Sequence, residues 1–561
     1  MKSWDNFIFN NSLFLIFALF TCSSFAQEKL APGIYLIRFT DKNSNQYQLS
    51  QPESFLSPRA LLRRHQQQIV LKNNDLPVSA LYIDSLRKLG FTILNSSKWH
   101  NAVTVLVSDT SIFRKLDNVS FVKPYVKSKS IITPSFPSNK LIANYSIVKS
   151  QLTDFYGLSY DQIAIHHGDF LHSLGYQGQG MLIAVIDAGF NNAQNMSCFD
   201  TLWMENRVSL ERDTYNPNAS VFTEDSHGSE VLSTMAATFP GNLVGTAPKA
   251  NYLLLRSENA TYEANGRQYE YPVEEFNWTV AAELADSIGA DIISTSLGYS
   301  QFNDSTLNHT YKDMNGHTTL VSIGASIAAS KGMIVVVSAG NEGANPWKYI
   351  TAPADADSIL TVGAIDSKGS RAAFSSMGPT ADGRVKPDVV AVGYKTIIQT
   401  PNNAFVQGYG TSFSAPIIAG LTACLWQSLP FKTNMEIINA IRQSSSQYSK
   451  PDSLLGYGIP DFIKAYYSLD PLERSGGKGI LVWPNPFSTE FSVEFGPVNA
   501  EQALLSIYDM TGKKIFEKRI VTVVNKLNFI TIHDIEGIAR GICILKITND
   551  SQIFISKILK L

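Results

Sequence analysis

Four polar residues stand where apolar stretches end, and their types suit nucleophilic chemistry. The run Met181-Leu182-Ile183-Ala184-Val185-Ile186 finishes in Asp187-Ala188-Gly189. A carboxylate just past a fully apolar strand is costly unless something holds it, and its ordinary role is a turn or a helix cap. His227 sits in Asp225-Ser226-His227-Gly228-Ser229-Glu230, ahead of the helical pattern Val231, Leu232, Met235 and Ala236. Ser412 sits in Gly410-Thr411-Ser412-Phe413-Ser414-Ala415-Pro416 and opens a helix through Ile417, Ile418, Leu421 and Leu425. A serine there is ordinarily an N-cap. Between small residues at the positive end of a helix dipole, its hydroxyl can instead stand clear. Serine is a weak nucleophile that needs a general base; histidine is that base near neutral pH, and a buried Asp fixes its tautomer. The fourth residue is Asn341, in Ala339-Gly340-Asn341-Glu342-Gly343 after the apolar run Met333–Ser338. Its amide can donate to an oxyanion, with the Ser412 backbone N–H as second donor. His65, His100, His166, His167, His172, His309, His317 and His533 have no comparable setting and read as surface or structural.

Distant strand ends must meet for this set to work. From about Tyr156 to Leu469, strand-length apolar runs alternate with helical segments: strands at Met181–Ile186, Asn251–Leu255, Asp291–Ser296, Met333–Ser338 and Ile359–Ala364, helices at Val280–Ile288 and Leu320–Lys331. The alternation predicts an α/β fold, a parallel sheet with helices on both faces, and binding residues at the carboxyl ends of its strands. Ahead of it, Ala31 to Lys129 reads as a small α+β unit. Its strands are Ile34–Phe39 and Ala102–Val107, its helices Pro58–Gln68 and Val78–Leu89. Pro134 to Asn139 is a Ser/Pro-rich break and Pro471 to Gly479 a Gly-rich linker. Thr/Val/Ile-rich strands of period two follow at Phe491–Phe495, Leu504–Tyr508, Phe529–Ile532 and Cys543–Ile547, predicting a small β-sandwich.

Composition limits the functions open to such a chain. Its 561 residues suggest three or four domains, and 44% hydrophobic with 17% charged residues is a globular balance. Lys plus Arg number 46 against 48 Asp plus Glu, so no basic field favours nucleic acid. Lys2, the apolar run Leu13 to Phe20 and the small residues Ser24 and Ala26 form a secretory signal over residues 1–26. No later stretch approaches the ~18 apolar residues of a transmembrane helix, so the sequence predicts an exported protein without one. Cys198, Cys424 and Cys543 remain after the signal, too few and too scattered for a disulfide framework or a zinc site; they read as small buried hydrophobes.

On these motifs the chain resembles the subtilisin-like serine proteases. The order Asp187, His227, Ser412 separates it from chymotrypsin-like and lipase-like arrangements. The resemblance implies that Asp187 orients the imidazole, His227 is general base then acid, and Ser412 is the nucleophile. It makes Asn341 the oxyanion asparagine, whose subtilisin counterpart is a standard case of that role. It also makes Ser296, Leu297 and Gly298 the edge that binds a protein or peptide substrate as an extended strand. Gly245-Thr246-Ala247-Pro248, Phe374-Ser375-Ser376 and Lys386-Pro387-Asp388 are further landmarks. The N-terminal unit resembles a protease propeptide, which assists folding and blocks the cleft. The tail, with Trp483-Pro484-Asn485-Pro486, Ser506-Ile507-Tyr508-Asp509 and the ending Lys557-Ile558-Leu559-Lys560-Leu561, resembles the sorting domains of the Bacteroidetes type IX secretion system. The implied order is signal peptide 1–26, propeptide and linker 27–150, peptidase domain 151–470, linker 471–479 and sorting domain 480–561.

Two departures stand out. Ala188 replaces the usual Ser or Thr after the Asp, removing a hydroxyl that would help hold the carboxylate. Glu230 stands where many members have a second His. Gly175, Gly178 and Gly180 precede the Met181 strand, so they are no dinucleotide fingerprint. Glu224 and Asp225 lack a second metal ligand at helical spacing. No cofactor is required; structural calcium is frequent in the family, but no Asp-rich loop places one. The expected function is therefore a secreted serine endopeptidase working through an acyl-enzyme. An inactive peptide- or glycan-binding member would lack a triad residue, and an esterase would need a Gly-x-Ser-x-Gly elbow.

Overall fold

The strand Leu182–Asp187 shows how one sequence pattern builds a two-sided core. Ile183 and Val185 enter one apolar cluster, while Leu182, Ala184 and Ile186 enter another on the opposite face. Such a strand has no polar side, which is the signature of a parallel sheet covered on both faces. In this computed structural model, residues 27–124, 155–263, 268–469 and most of 480–560 are described. The signal segment, the Pro134–Asn139 break, the Pro471–Gly479 linker and Pro484 and Pro486 of the tail motif lie outside them.

Seven parallel strands form the central sheet, in the order Val389–Val392, Leu360–Ile365, Ile334–Ser338, Ile292–Thr295, Leu182–Asp187, Asn251–Arg256, Val208–Asp213. Helices Val273–Ile288 and Leu320–Ser330 cover one face, and His227–Ala236 and Thr411–Ser428 the other. The α/β expectation holds. Two strands escaped it: Val208–Asp213, whose Glu211 and Arg212 break the apolar run at the sheet edge, and the four-residue Val389–Val392. The first two turns of helix Val273–Ile288 also escaped it, because Glu274 and Glu275 there are buried instead of facing water.

Topology locates the site. From Leu182–Asp187 the chain builds two strands on one side, then crosses to build four on the other. The carboxyl ends of Leu182–Asp187 and Ile292–Thr295 therefore flank a switch point, where open α/β sheets form their binding crevice.

The N-terminal unit is a four-stranded antiparallel sheet, ordered Glu28–Ala31, Ile34–Arg38, Ala102–Leu106, Thr92–Ser97, with helices Pro58–Gln66 and Ala80–Lys88. It docks on helix Val273–Ile288 through buried charge. Asp286 accepts from Arg63 at 2.6 Å, Arg64 at 2.9 Å and Lys98 at 3.2 Å, and Glu283 takes the Lys98 and Trp99 N–H groups at 2.9 Å. Burial alone would raise the Asp286 pKa; Lys98, Arg63 and Arg64 override it and hold it at about 2. Removing one partner of such a buried set leaves an uncompensated charge, so the two units are matched to each other.

The tail packs a three-stranded sheet (Ile480–Trp483, Phe491–Phe495, Asn528–Ile532) against a four-stranded one (Lys514–Val521, Gln502–Asp509, Gly541–Thr548, Ile553–Lys560). Alternating residues such as Phe491, Val493, Leu505, Ile507, Leu545 and Ile547 share one core, as a sandwich requires. Among the described residues no helix is long and apolar enough to cross a membrane. Cys198, Cys424 and Cys543 are free and buried.

Candidate active site

Asp187 is the last residue of its strand and fully buried. Its Oδ1 accepts the His227 Nδ1–H at 2.6 Å and the Ala188 N–H at 2.8 Å. Its Oδ2 is buried and has no protein partner, as expected where Ala188 supplies no hydroxyl. His227 opens helix His227–Ala236, and its backbone N–H is capped by Asp225 Oδ1 at 2.7 Å. The helix start can approach the Asp187 loop only because residue 228 is glycine. A β-carbon there would lie 2.5 Å from the Gly189 carbonyl and 3.0 Å from Asp187 Cβ.

The nucleophile candidate is presented by a turn that only glycine permits. Gly410 has φ 153° and ψ 149°, a region closed to other residues, and it reverses the chain from strand Phe405–Tyr409 into helix Thr411–Ser428. Gly410, not Ser412, is the N-cap residue, so the capping role is not the one Ser412 fills. Its carbonyl accepts the Ser296 hydroxyl at 2.8 Å, and its Oγ lies 3.5 Å from the Ser296 carbonyl. No hydrogen bond joins Ser412 to His227, although both line one cavity of about 280 Å³. Catalytic hydrogen bonds are often this loose without substrate.

Asn341 lines the same cavity. Its Oδ1 accepts both the N–H and the hydroxyl of Thr411, at 2.9 and 3.0 Å, which commits Nδ2 to the remaining donor role. A β-carbon at Gly410 would sit 3.6 Å from both Asn341 Nδ2 and the Ser412 backbone nitrogen, so both nitrogens lie close to the Gly410 turn. Ser296, Leu297 and Gly298 continue past strand Ile292–Thr295 along the cavity wall. Gly298 is tight against Thr351, whose Oγ1 would meet a β-carbon at 2.3 Å.

All seven residues singled out from the sequence thus line this cavity or lie behind it. Thr411 and Asp225 did not stand out. In the sequence Thr411 shows only as the neighbour of Ser412, and Asp225 reads only as a candidate metal ligand. Glu224 pairs with Arg256. Carboxylate oxygens of Glu258, Glu270 and Glu274 lie within 4.8 Å of one another, and that closeness alone assigns no ion.

Burial disfavours a charged His227, but the Asp187 carboxylate, its hydrogen bond, and Asp225 and Glu230 more than offset this and raise the pKa to about 9. A general base must be neutral, so activity should rise with pH as the imidazolium loses its proton. The acid limb of kcat/KM, measured on a soluble peptide, is expected above the ordinary histidine value of ~6.5 and toward 9. Glu230→Gln should move it down; a wild-type limb below 6.5 would contradict the raised pKa.

Comparison with known proteins agrees with the geometry. The Subtilase family matches residues 178–458, half of the chain. The Bacteroidota peptidase S8 propeptide domain matches 34–140, and a secretion system C-terminal sorting domain matches 481–560, which marks the chain for export to the outside or the cell surface. Subtilisin NAT of Bacillus subtilis subsp. natto is 27% identical over 291 residues, covering 52% of this chain and 66% of that protein. Serine protease AprX of Bacillus subtilis (strain 168) is 26% identical over 300 residues, covering 49% of this chain and 63% of that one. The chain thus spans just under two thirds of these relatives' length. Among solved structures, MycP1 from Mycobacterium smegmatis aligns at 21% identity with a TM-score of 0.42, over 62% of this chain and 95% of that one. With the switch-point sheet, the Asp187–His227 pair and the family match covering the same residues, the chain belongs to the subtilase family.

Proposed function

We propose that this protein is an exported serine endopeptidase that hydrolyses peptide bonds through an acyl-enzyme. The observation that carries the reading is the 2.6 Å bond from His227 Nδ1 to buried Asp187 at the switch point, in one cavity with Ser412. A protein or peptide substrate lies as an extended strand along Ser296, Leu297 and Gly298. His227 Nε2 takes the Ser412 proton as Oγ attacks the carbonyl carbon, and Asp187 stabilises the imidazolium that forms. Asn341 Nδ2 and the Ser412 N–H hold the oxyanion. The imidazolium then gives its proton to the leaving amine, and water, activated by the same histidine, releases the acyl group. No cofactor enters these steps.

Residues 27–150 are read as the propeptide and its linker, 151–470 as the peptidase domain and 480–561 as the sorting domain that the type IX machinery recognises. A serine-directed fluorophosphonate should label Ser412 and stop casein hydrolysis in proportion to labelling. Full labelling with hydrolysis intact would overturn the mechanism.

None of the cavity residues comes from the tail. Deleting residues 480–561 should therefore trap the protein in the periplasm of its host, while the recombinant remainder keeps its kcat/KM on soluble peptides. Fractionation decides this: truncated protein arriving normally outside the outer membrane would overturn the sorting role.

A further inference from the structure

We propose that Arg256 is a positioning residue for the Asp187–His227 pair, joining the loop after Asp187 to the loop before His227; this rests on the catalytic reading above. Arg256 ends strand Asn251–Arg256, opposite Asp187 in one parallel ladder and opposite Asp213 in the other. Its 1% exposure makes the cation costly unless its donors are used. Nε donates to the Ala188 carbonyl at 3.0 Å, Nη1 to Asp213 Oδ2 at 2.8 Å, and Nη2 to Glu224 Oε2. Ala188 directly follows Asp187, and Glu224 lies three residues before His227. Asp213 anchors the guanidinium from behind, itself fixed by the Tyr215 and Asn216 N–H groups at 2.8 and 2.7 Å.

The orphan oxygen of Asp187 makes this contact matter. Protein groups hold the carboxylate through Oδ1, by His227 and by the Ala188 N–H, and none of them meets Oδ2. Both ends of residue 188 are therefore engaged: its N–H holds Asp187, and Arg256 holds its carbonyl. The orienting chain runs from guanidinium to residue 188 to carboxylate to imidazole. Backbone bonds also zip the two loops, Gly228 N–H to Gly189 and Asn191 N–H to Asp225, each at 2.9 Å. They run between the loops themselves, whereas Arg256 ties both to the sheet. Lysine, a point charge, cannot reproduce the planar fork that meets three acceptors at once.

Arg256→Lys, Glu224→Gln and the double variant test this in the full chain, with active sites counted by fluorophosphonate titration. Ile438→Ala, a core change in helix Asn434–Ser444, which contributes nothing to the cavity, supplies a control with lowered Tm. Arg256→Lys should lower kcat per titrated site at least fivefold, and Glu224→Gln at least threefold, with KM within twofold. The double variant should be no worse than Arg256→Lys, because both cut the same link. If kcat per titrated site stays within twofold while Tm falls as in the control, Arg256 is structural only and the proposal fails. Should Arg256→Lys not fold, Glu224→Gln, at the partly exposed partner, decides alone. A wild type that titrates no Ser412 would instead overturn the catalytic reading, and this one with it.

Discussion

Ser412→Ala is expected to abolish casein hydrolysis, lowering kcat by ~10⁴ to 10⁶. The change removes one oxygen, and with it the nucleophile of the proposed mechanism, which lines the cavity with His227. Triad members act as a unit, so the intact Asp187–His227 pair has nothing left to activate. On the proposed mechanism Asn341 Nδ2 and the Ser412 N–H would remain as oxyanion donors, leaving a small residual rate. The fold should survive: Ser412 Oγ makes one long contact, 3.5 Å to the Ser296 carbonyl, and alanine is favourable in a helix. Tm should therefore shift by only a few degrees, separating loss of chemistry from loss of structure. If the N-terminal unit is removed by the enzyme itself, the variant should also retain it, and N-terminal sequencing of both proteins checks this. Hydrolysis by the purified variant at more than a thousandth of the wild-type rate would refute the mechanism.

Much of this site was legible in sequence because its residues occupy places that apolar periodicity marks. Asp187, His227, Ser412 and Asn341 each adjoin the end of a strand or the start of a helix, and glycines punctuate those junctions. What could not be read was pairing between segments distant in the chain. Arg256 gave no signal beyond a cation ending an apolar run, and its three acceptors come from residues 188, 213 and 224. The Asp286 cluster was equally hidden: nothing local to Arg63, Arg64 or Lys98 points to a carboxylate 188 to 223 residues away in sequence, and only the docked helix brings them together. Periodicity also fails where an edge strand carries charge, as in Val208–Asp213. The Ala188 departure is the opposite case, since a missing hydroxyl foretold an oxygen without a partner.

Asn341→Ala should lower kcat by ~10² to 10³ and leave KM nearly unchanged. The size is carried over from the oxyanion asparagine of subtilisin; its direction follows from the geometry here. A ground-state carbonyl bears only partial charge, so one amide donor adds little to binding. The tetrahedral intermediate bears a full negative charge on the same oxygen, in a partly enclosed cleft, and there the donor counts. Alanine also removes Oδ1, which accepts the Thr411 N–H and hydroxyl, so the turn presenting Ser412 could loosen as well. Asn341→Asp separates the two effects. It keeps an acceptor for Thr411 but replaces the donor with a negative charge facing the oxyanion, so kcat should fall at least as far as in the alanine variant. Were Asn341→Asp to recover most of the activity, Asn341 would be a support for the Thr411 turn and not an oxyanion donor. A rise in KM with kcat preserved in Asn341→Ala would make it a substrate-binding residue.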